Sequence, residues 1–301
     1  MSRRPSRDTT ALVGPVDTWR WLAPVLLVLA VAAVLVSLRA GPAAVLRSGA
    51  IGLADTAITV AVVAPLLAIA LWRKPNALRV VVVLAVLILC SRWAHGLPRV
   101  FGTELDWNWQ GKTVELLWLA ALFLALWPWA RDEAGLGLRL RPGSRPAVWV
   151  VVGIFAAFAL LSLWYLADAG APPAPVDTER LLFNVGHPNL VEELLVHGAM
   201  LAVLDRVCGT PWRFLGAPVG WGLVLTSLWF GLWHGFVLTG EGFVVDPVAI
   251  VSTGIAALMI GWVRLRSGSV WLAFAAHCVV EVGQDAGAMI WAVLGGAAPL
   301  G

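Results

Sequence analysis

Charged residues are scarce in this chain of 301 residues. Asp, Glu, Lys and Arg make up 13% of it and hydrophobic residues 60%, whereas a soluble domain carries roughly 25% charged residues. The mean hydropathy is +0.84. No alternating strand pattern competes with the apolar runs, and lipid leaves unpaired backbone groups without partners. The composition therefore argues against a soluble enzyme and indicates a helical integral membrane protein.

Cysteines, repeats and the usual zinc motif are also missing or rare. Cys90, Cys208 and Cys278 stand singly, which favours neither a disulfide framework nor a metal cluster. The sequence contains no HExxH motif, the usual helical signature of a zinc protease. It also shows no internal repeat, which argues against the repeat-built transporters.

Nine long apolar runs and one short run predict an all-α, polytopic transmembrane bundle of about eight to ten helices. The short run is Ala286–Leu294. The long runs are Trp21–Leu38, Ile51–Trp72, Leu78–Ala94, Val114–Trp129, Val148–Ala167, Leu190–Val207, Val219–Leu238, Val248–Val263 and Ser269–Val282.

The Lys and Arg residues predict a cytoplasmic N-terminus. With that orientation, 15 of the 21 Lys and Arg residues fall on the cytoplasmic side, as the positive-inside rule requires. The other 6 are assigned to the outer loops: Arg39, Arg47, Arg92, Arg99, Lys112 and Arg180. This bias accounts for the net charge of +3, so no nucleic-acid partner is predicted. The first apolar run lacks a cleavage site and is interpreted as a retained anchor. The Ala-, Val-, Leu-, Arg- and Trp-rich composition favours the cytoplasmic (inner) membrane of a bacterium.

Two Pro-containing loops, 130–146 and 168–180, suggest how the chain is organised. Residues 1–145 are predicted to be N-terminal transmembrane helices of unknown role, and residues 146–285 a catalytic core. Residues 286–301 are predicted to be a tail or short helix. The candidate chemistry lies in the last 120 residues or so, because most histidines and the intramembrane glutamates fall there.

The stretch "VEELLVHGAM" places Glu192, Glu193 and His197 inside an apolar run. A charged side chain at the bilayer centre costs about 2.5–3.5 kcal/mol, so two adjacent carboxylates call for a reason. Glu193 and His197 are four residues apart and can meet on one helical face. A buried pair that only fixes packing is the alternative to a functional role.

Two further segments add polar groups to neighbouring predicted helices. "SLWFGLWHG" carries Phe230 and His234 one turn apart, and "HCVVE" carries His277 and Glu281. Together with the glutamates, these groups can activate a water. A carboxylate beside an imidazole can accept a proton from the water. A second imidazole can donate a hydrogen bond to the oxyanion that develops.

These three motifs resemble the CPBP family of intramembrane proteases, which includes CAAX prenyl endopeptidases and bacteriocin-processing or Abi proteins. The family pattern is EExxxR, FxxxH and HxxxN or HxxxD, and this chain has "EELLVH", "FGLWH" and "HCVVE". The flanking "GLGLRLRP" and "RSGSVWLAFAAH" are also similar, so the resemblance covers roughly Glu133–Asp285 and most securely Pro188–Asp285.

The resemblance implies peptide-bond hydrolysis in or beside the membrane, with no metal, no cofactor and no covalent intermediate. It implies Glu192 as the general base, assisted by His234, His277 as the oxyanion-stabilising residue and Glu193 as a supporting carboxylate. The implied partners are membrane lipid and a membrane-associated peptide or protein. Family members act on prenylated C-termini, leader peptides or C-terminal sorting tails.

The chain differs from the family pattern at two positions. His197 stands where the first motif has arginine, and Glu281 where the third has asparagine or aspartate. An imidazole can pair with Glu193 but lacks the fork and permanent charge of arginine. Gln284, one turn beyond Glu281, is a candidate substitute donor.

Other functions remain open on the sequence. A zinc-dependent protease would use Glu192, His234 and His277 as ligands, and a proton-coupled carrier would use the same groups as a relay. A catalytically altered family member could bind peptides or act as an immunity protein. His187, just before the first motif, is a candidate for capping that helix or lining the site entrance.

Overall fold

The computed structural model describes residues 18–170, 175–239 and 242–295. In these ranges the chain forms a helical bundle with two short antiparallel hairpins, which confirms the predicted polytopic all-α fold. Arg3, Arg4 and Arg7, part of the second loop and residues 296–301 lie outside the described residues. The helices are α1 (Thr18–Ala40), α2 (Pro42–Ala70), α3 (Ala77–His95), α4 (Trp109–Ala125), α5 (Trp127–Asp132), α6 (Arg145–Asp168), α7 (Thr178–Gly186), α8 (Pro188–Glu192), a π-helix (Glu193–Met200), α9 (Leu201–Cys208), α10 (Trp221–Gly235), α11 (Pro247–Ser267) and α12 (Val270–Val293). The strands are β1 (Trp212–Phe214), β2 (Ala217–Val219), β3 (Phe236–Thr239) and β4 (Gly242–Val245).

Five helices in the described part of the chain are long and apolar enough to cross a membrane, judged by length and composition: α1 from Arg20, α2, α3, α6 and α11. A helix of about 20 residues spans the hydrocarbon layer. The helices that carry the polar motifs are not among these five. The cytoplasmic position of the N-terminus stays a prediction.

Three predicted boundaries are corrected by the structure. The run Val114–Trp129 is divided between α4 and α5, and α5 has a proline in its first turn, where its missing N–H is tolerated. The run Val219–Leu238 begins in β2 and ends in β3 around α10. The short run Ala286–Leu294 continues α12 as far as Val293. Apolar composition marks these segments but not where their backbones turn.

One cluster of buried side chains joins the N-terminal helices to the motif-bearing ones. Trp21, Leu87 and Trp118 belong to the same cluster as Leu195 and Phe230. The predicted division at residue 145 stays a prediction, but the two parts share this core. Burial of apolar surface therefore holds α1, α3 and α4 against the helices that carry the candidate site.

Asp55 and Arg92 form a buried ion pair between α2 and α3. Arg92 is counted with the residues of the outer side in the prediction of orientation, but it lies inside α3, with its Nε 2.6 Å from Asp55 Oδ2. The two side chains are only 13% and 7% exposed. Because an unpaired charge at this depth is costly, each residue depends on the other.

Candidate active site

The first motif lies on a continuous helical segment, Pro188–Cys208, made of α8, the π-helix and α9. The π-helix begins at Glu193, directly after Glu192, and its eight residues are all buried. A π-helical turn is wider than an α-helical turn and occurs often at functional sites. The two glutamates therefore stand at a change of helical geometry and point to different partners.

Glu192 faces two groups from other helices. Its Oε2 lies 3.8 Å from His234 Nε2, and its Oε1 lies 3.8 Å from Lys112 Nζ in α4. Its side chain is 11% exposed. Both distances exceed direct hydrogen bonds and are of the length at which a water can bridge two polar groups.

Two glycines on α10 help to position His234. A Cβ on Gly231 or Gly235 would lie 2.4 Å from the carbonyl oxygen of Ile250 or Asp246, respectively. Only glycine therefore allows α10 to pack this closely against α11 and the residue that caps it. The interleaved Phe230 and His234 lie on the adjoining part of the α10 surface.

The tautomer of His234 follows from its hydrogen bond. Nδ1 lies 2.8 Å from the carbonyl oxygen of Phe230. A carbonyl only accepts, so Nδ1 carries the hydrogen and Nε2 of the neutral ring is an acceptor. This acceptor faces Glu192. About a third of the His234 side chain is exposed, so the gap between the two residues is open to solvent or substrate.

Glu193 binds the third-motif histidine. Its Oε1 lies 2.9 Å from His277 Nδ1, and its side chain is fully buried. This contact fixes the His277 ring through one nitrogen. Phe230 lies beside both catalytic-candidate imidazoles, with ring centroids 4.4 Å from His234 and 5.9 Å from His277. The three motifs therefore meet around one aromatic ring.

His197 does not form the predicted hydrogen bond with Glu193. The ring is completely buried, and within the described residues neither of its nitrogens has a hydrogen-bond partner. Glu193 instead forms its hydrogen bond, through Oε1, with His277. A Cβ on Gly261 would lie 3.1 Å from the His197 ring, so this imidazole fills a tight space between helices.

Glu281 is held by α7. Its carboxyl group lies beside the side chain of Asn184, and its Oε2 has no hydrogen-bond partner among the described residues. Gln284 has an exposed side chain and its backbone carbonyl accepts from Ser162 Oγ at 2.8 Å. The structure thus joins Glu281 to α7 and leaves the Gln284 amide at the helix surface.

Lys112 is the site residue that the sequence analysis placed wrongly, in an outer loop. It lies in the first turn of α4 and is 6% exposed. Its Nζ is 2.9 Å from Glu115 Oε2. The signals were present: Asn108 is an N-cap residue whose side chain accepts from Gly111 N at 2.9 Å, and Lys112 and Glu115 have the i, i+3 spacing of a helical ion pair.

The described residues contain no group of three His, Cys, Asp or Glu side chains placed to hold a metal ion.

The short helix α7 is tied to the start of α4 by Glu179. Its carboxylate accepts from the Trp109 indole N–H at 3.0 Å, and from the backbone N–H groups of Trp107 at 3.2 Å and Asp106 at 3.4 Å. Farther along α7, the Phe183 ring stacks on that of Trp107 with centroids 5.6 Å apart. Helix α7 is therefore fastened at the end of the bundle where α4 and α8 begin, here called the site end.

This attachment is expected to weaken in acid. The Trp109 hydrogen bond, with those from Trp107 and Asp106, holds the pKa of Glu179 below its usual range. A lowered pKa stabilises docking above the ordinary value of about 4.3 and loses that effect as pH falls through the native value. The protection factors of the amides in residues 178–186, which correct exchange for its intrinsic pH dependence, should fall below about pH 4. Glu179→Gln should show faster exchange already at neutral pH; equal exchange would contradict the role.

Comparison with protein families identifies the segment that carries this site. Residues 177–283 match the family model described as type II CAAX prenyl endopeptidase Rce1-like. The resemblance predicted from the three motifs is therefore confirmed, and the matched segment includes Glu192, His234 and His277 but not Lys112. No curated protein and no solved structure matches the chain. At family level, the Rce1-like segment is that of a CAAX-type intramembrane protease, a hydrolase.

Proposed function

We propose that this Rce1-like protein is an intramembrane endopeptidase in which Glu192 activates a water for attack on a peptide bond. The supporting observation is the gap of 3.8 Å between Glu192 Oε2 and His234 Nε2. Both atoms are acceptors when the carboxylate is ionised and His234 is neutral. A water between them donates one hydrogen to each, which leaves its lone pairs for a substrate carbonyl.

The proposed reaction balances without a metal or an acyl-enzyme. Glu192 takes a proton from the water while the water oxygen bonds to the carbonyl carbon, and the carbonyl electrons move onto oxygen. The oxyanion accepts a hydrogen bond from His277 Nε2–H. Collapse re-forms the carbonyl and breaks the C–N bond, and Glu192 returns its proton to the leaving amine.

The contact of Glu193 with His277 suits this second role. One proton shared between Glu193 Oε1 and His277 Nδ1 is compatible with a second hydrogen on Nε2, whether the pair is written as carboxylate with imidazolium or as acid with neutral imidazole. The proposal therefore requires the Glu193–His277 pair to hold two protons, because a carboxylate that accepts from Nδ1–H of a neutral ring would leave Nε2 an acceptor, as in His234. An oxyanion at Nε2 is then stabilised electrostatically.

The predicted orientation places the site end on the non-cytoplasmic side. If the N-terminus is cytoplasmic, α1, α2 and α3 cross the membrane three times, so α4 begins on the opposite side. The first turn of α4 carries Lys112, which lies close to Glu192. The proposed substrate is therefore a membrane-associated peptide or protein whose cleavable bond is presented from that side of a bacterial cytoplasmic membrane. Leader peptides and C-terminal sorting tails fit this placement better than prenylated cytosolic C-termini.

Proteolysis in reconstituted liposomes tests the proposal. Wild type, Glu192→Gln and the exposed-loop control Glu104→Gln are mixed with a farnesylated C-terminal peptide, a membrane-anchored leader peptide and a sorting-tail peptide. Each reaction is run with and without a strong chelator. We expect cleavage by wild type and Glu104→Gln, with or without chelator, and none by Glu192→Gln. Loss on chelation would assign a zinc protease, and binding without cleavage would assign a peptide-binding protein.

A further inference from the structure

Four buried charges from the N-terminal helices lead towards Glu192. Asp55 in α2 pairs with Arg92 in α3, and Glu115 in α4 pairs with Lys112, which lies 3.8 Å from Glu192. The signs alternate along this series. Such charges are expensive in a membrane unless each is compensated. Mutual neutralisation explains the pairs Asp55–Arg92 and Glu115–Lys112. It does not explain why Lys112 also faces Glu192.

From this arrangement we infer that Lys112 is a positioning residue, whose ammonium group is the counter-ion of the Glu192 carboxylate and holds it turned towards His234. This inference rests on the proposed role of Glu192. The motif helix offers no cation of its own at the pattern's arginine position, because His197 is buried there without a hydrogen-bond partner among the described residues. The N-terminal helices therefore supply a charge that the Rce1-like segment lacks.

Lys112 is itself held by Glu115 and Trp233. Glu115 Oε2 lies 2.9 Å from its Nζ, and the Ser91 hydroxyl donates to the other Glu115 oxygen. The Trp233 ring centroid lies 5.5 Å from Nζ, within cation–π range. Because Trp233 immediately precedes His234, the same α10 turn contacts the cation and carries the imidazole. One ammonium group is thus shared by two carboxylates at a fixed place.

The charged and titratable groups around Glu192 lie on its own helix and on α3, α4, α10 and α12: Glu193, His197, His95, Lys112, His234 and His277. Those that act on Lys112 are Glu115, Glu192, Arg92 and His95. Glu115 is the one that competes with Glu192 for its charge. This competition gives two substitutions with opposite expected effects: Lys112→Gln removes the cation from Glu192, and Glu115→Gln leaves Lys112 to Glu192 alone. A role limited to neutralising Glu115 predicts no change at Glu192 in either variant.

The test does not need a known substrate. A hydrophobic carbodiimide reacts with protonated carboxyl groups, and tandem mass spectrometry of the full-length protein in liposomes reads the adduct on Glu192 as a function of pH. We expect Lys112→Gln to move the labelling midpoint up by about one to three pH units, the size that a nearby opposite charge produces. Lys112→Arg should restore it, and Glu115→Gln should move it down. Glu192→Gln identifies the adduct.

Arg206→Gln is the matched control, because it also removes one cation from an ion pair, with Glu133 at 2.5 Å. It lies 14 residues along the helix from Glu192, about 21 Å away at 1.5 Å per residue, and should leave the midpoint unchanged. An unmoved midpoint in folded Lys112→Gln overturns the inference, as does an equal shift in Arg206→Gln. If Lys112→Gln fails to fold, the downward shift in Glu115→Gln decides the question.

A cleavage assay separates this inference from the proposed function. Lys112→Gln should lower kcat about tenfold for each pH unit by which the Glu192 labelling midpoint exceeds the assay pH. KM should stay nearly unchanged, and Lys112→Arg should recover kcat. Full activity in Lys112→Gln with an inactive Glu192→Gln would overturn the role of Lys112 alone. Activity in Glu192→Gln would overturn the proposed function.

Discussion

Replacement of Glu192 by glutamine is expected to lower kcat by about 10²–10⁴-fold, the usual contribution of a general base. Glutamine keeps the size and one acceptor oxygen of the side chain that faces His234 at 3.8 Å, so a bridging water can still bind. It cannot take the proton when the water attacks. KM should therefore change little, because substrate contacts are retained. Steady-state cleavage of a liposome-bound peptide measures both constants.

Two comparisons protect this result from a folding artefact. Glu104→Gln makes the same chemical change in an exposed loop and should cleave like wild type. Thermal unfolding of Glu192→Gln should show no loss of stability, because the substitution removes an ionised carboxylate from a site where its exposure is only 11%. Near-normal kcat in Glu192→Gln would show that another group activates the water.

The sequence predicts the bundle well because lipid permits few backbone structures. Apolar length marks most of the spans, and the three motifs predict which residues meet around Phe230. The periodicity of an ideal α-helix fails at the first motif. It pairs Glu193 with His197, whereas the structure has a π-helix from Glu193 and a contact from Glu193 to His277 on another helix. Sequence spacing cannot report a local change in helical turn.

Buried charges are the other feature that spacing does not reveal. Arg92 and Lys112 lie near the ends of apolar runs, where charged residues commonly belong to loops. Each is instead placed inside the bundle by a carboxylate partner, Asp55 or Glu115. A contact between distant helices decides their position. For the same reason, the sequence assigns no role to the helices before residue 145, although α4 brings Lys112 to the candidate site.

Substitution of His277 by alanine is expected to lower kcat by about 10²–10³-fold, the range for loss of one oxyanion donor. Its Nδ1 is held by Glu193 at 2.9 Å, and its Nε2 is the nitrogen left to donate. Because the oxyanion forms only during the reaction, KM should stay close to that of wild type. Kinetics on the peptide that wild type cleaves measure the two constants.

Gln284 provides the competing assignment, since its amide is the uncharged donor that lies one turn beyond the third motif on the same helix. Its side chain is exposed, and it lies seven residues beyond His277, about 10 Å along the helix. Gln284→Ala should therefore keep kcat within a few-fold of wild type. A large loss in Gln284→Ala, with His277→Ala nearly active, would move the oxyanion role to the amide. Comparable losses in both would indicate that α12 had shifted, and hydrogen exchange of residues 270–293 would detect that shift.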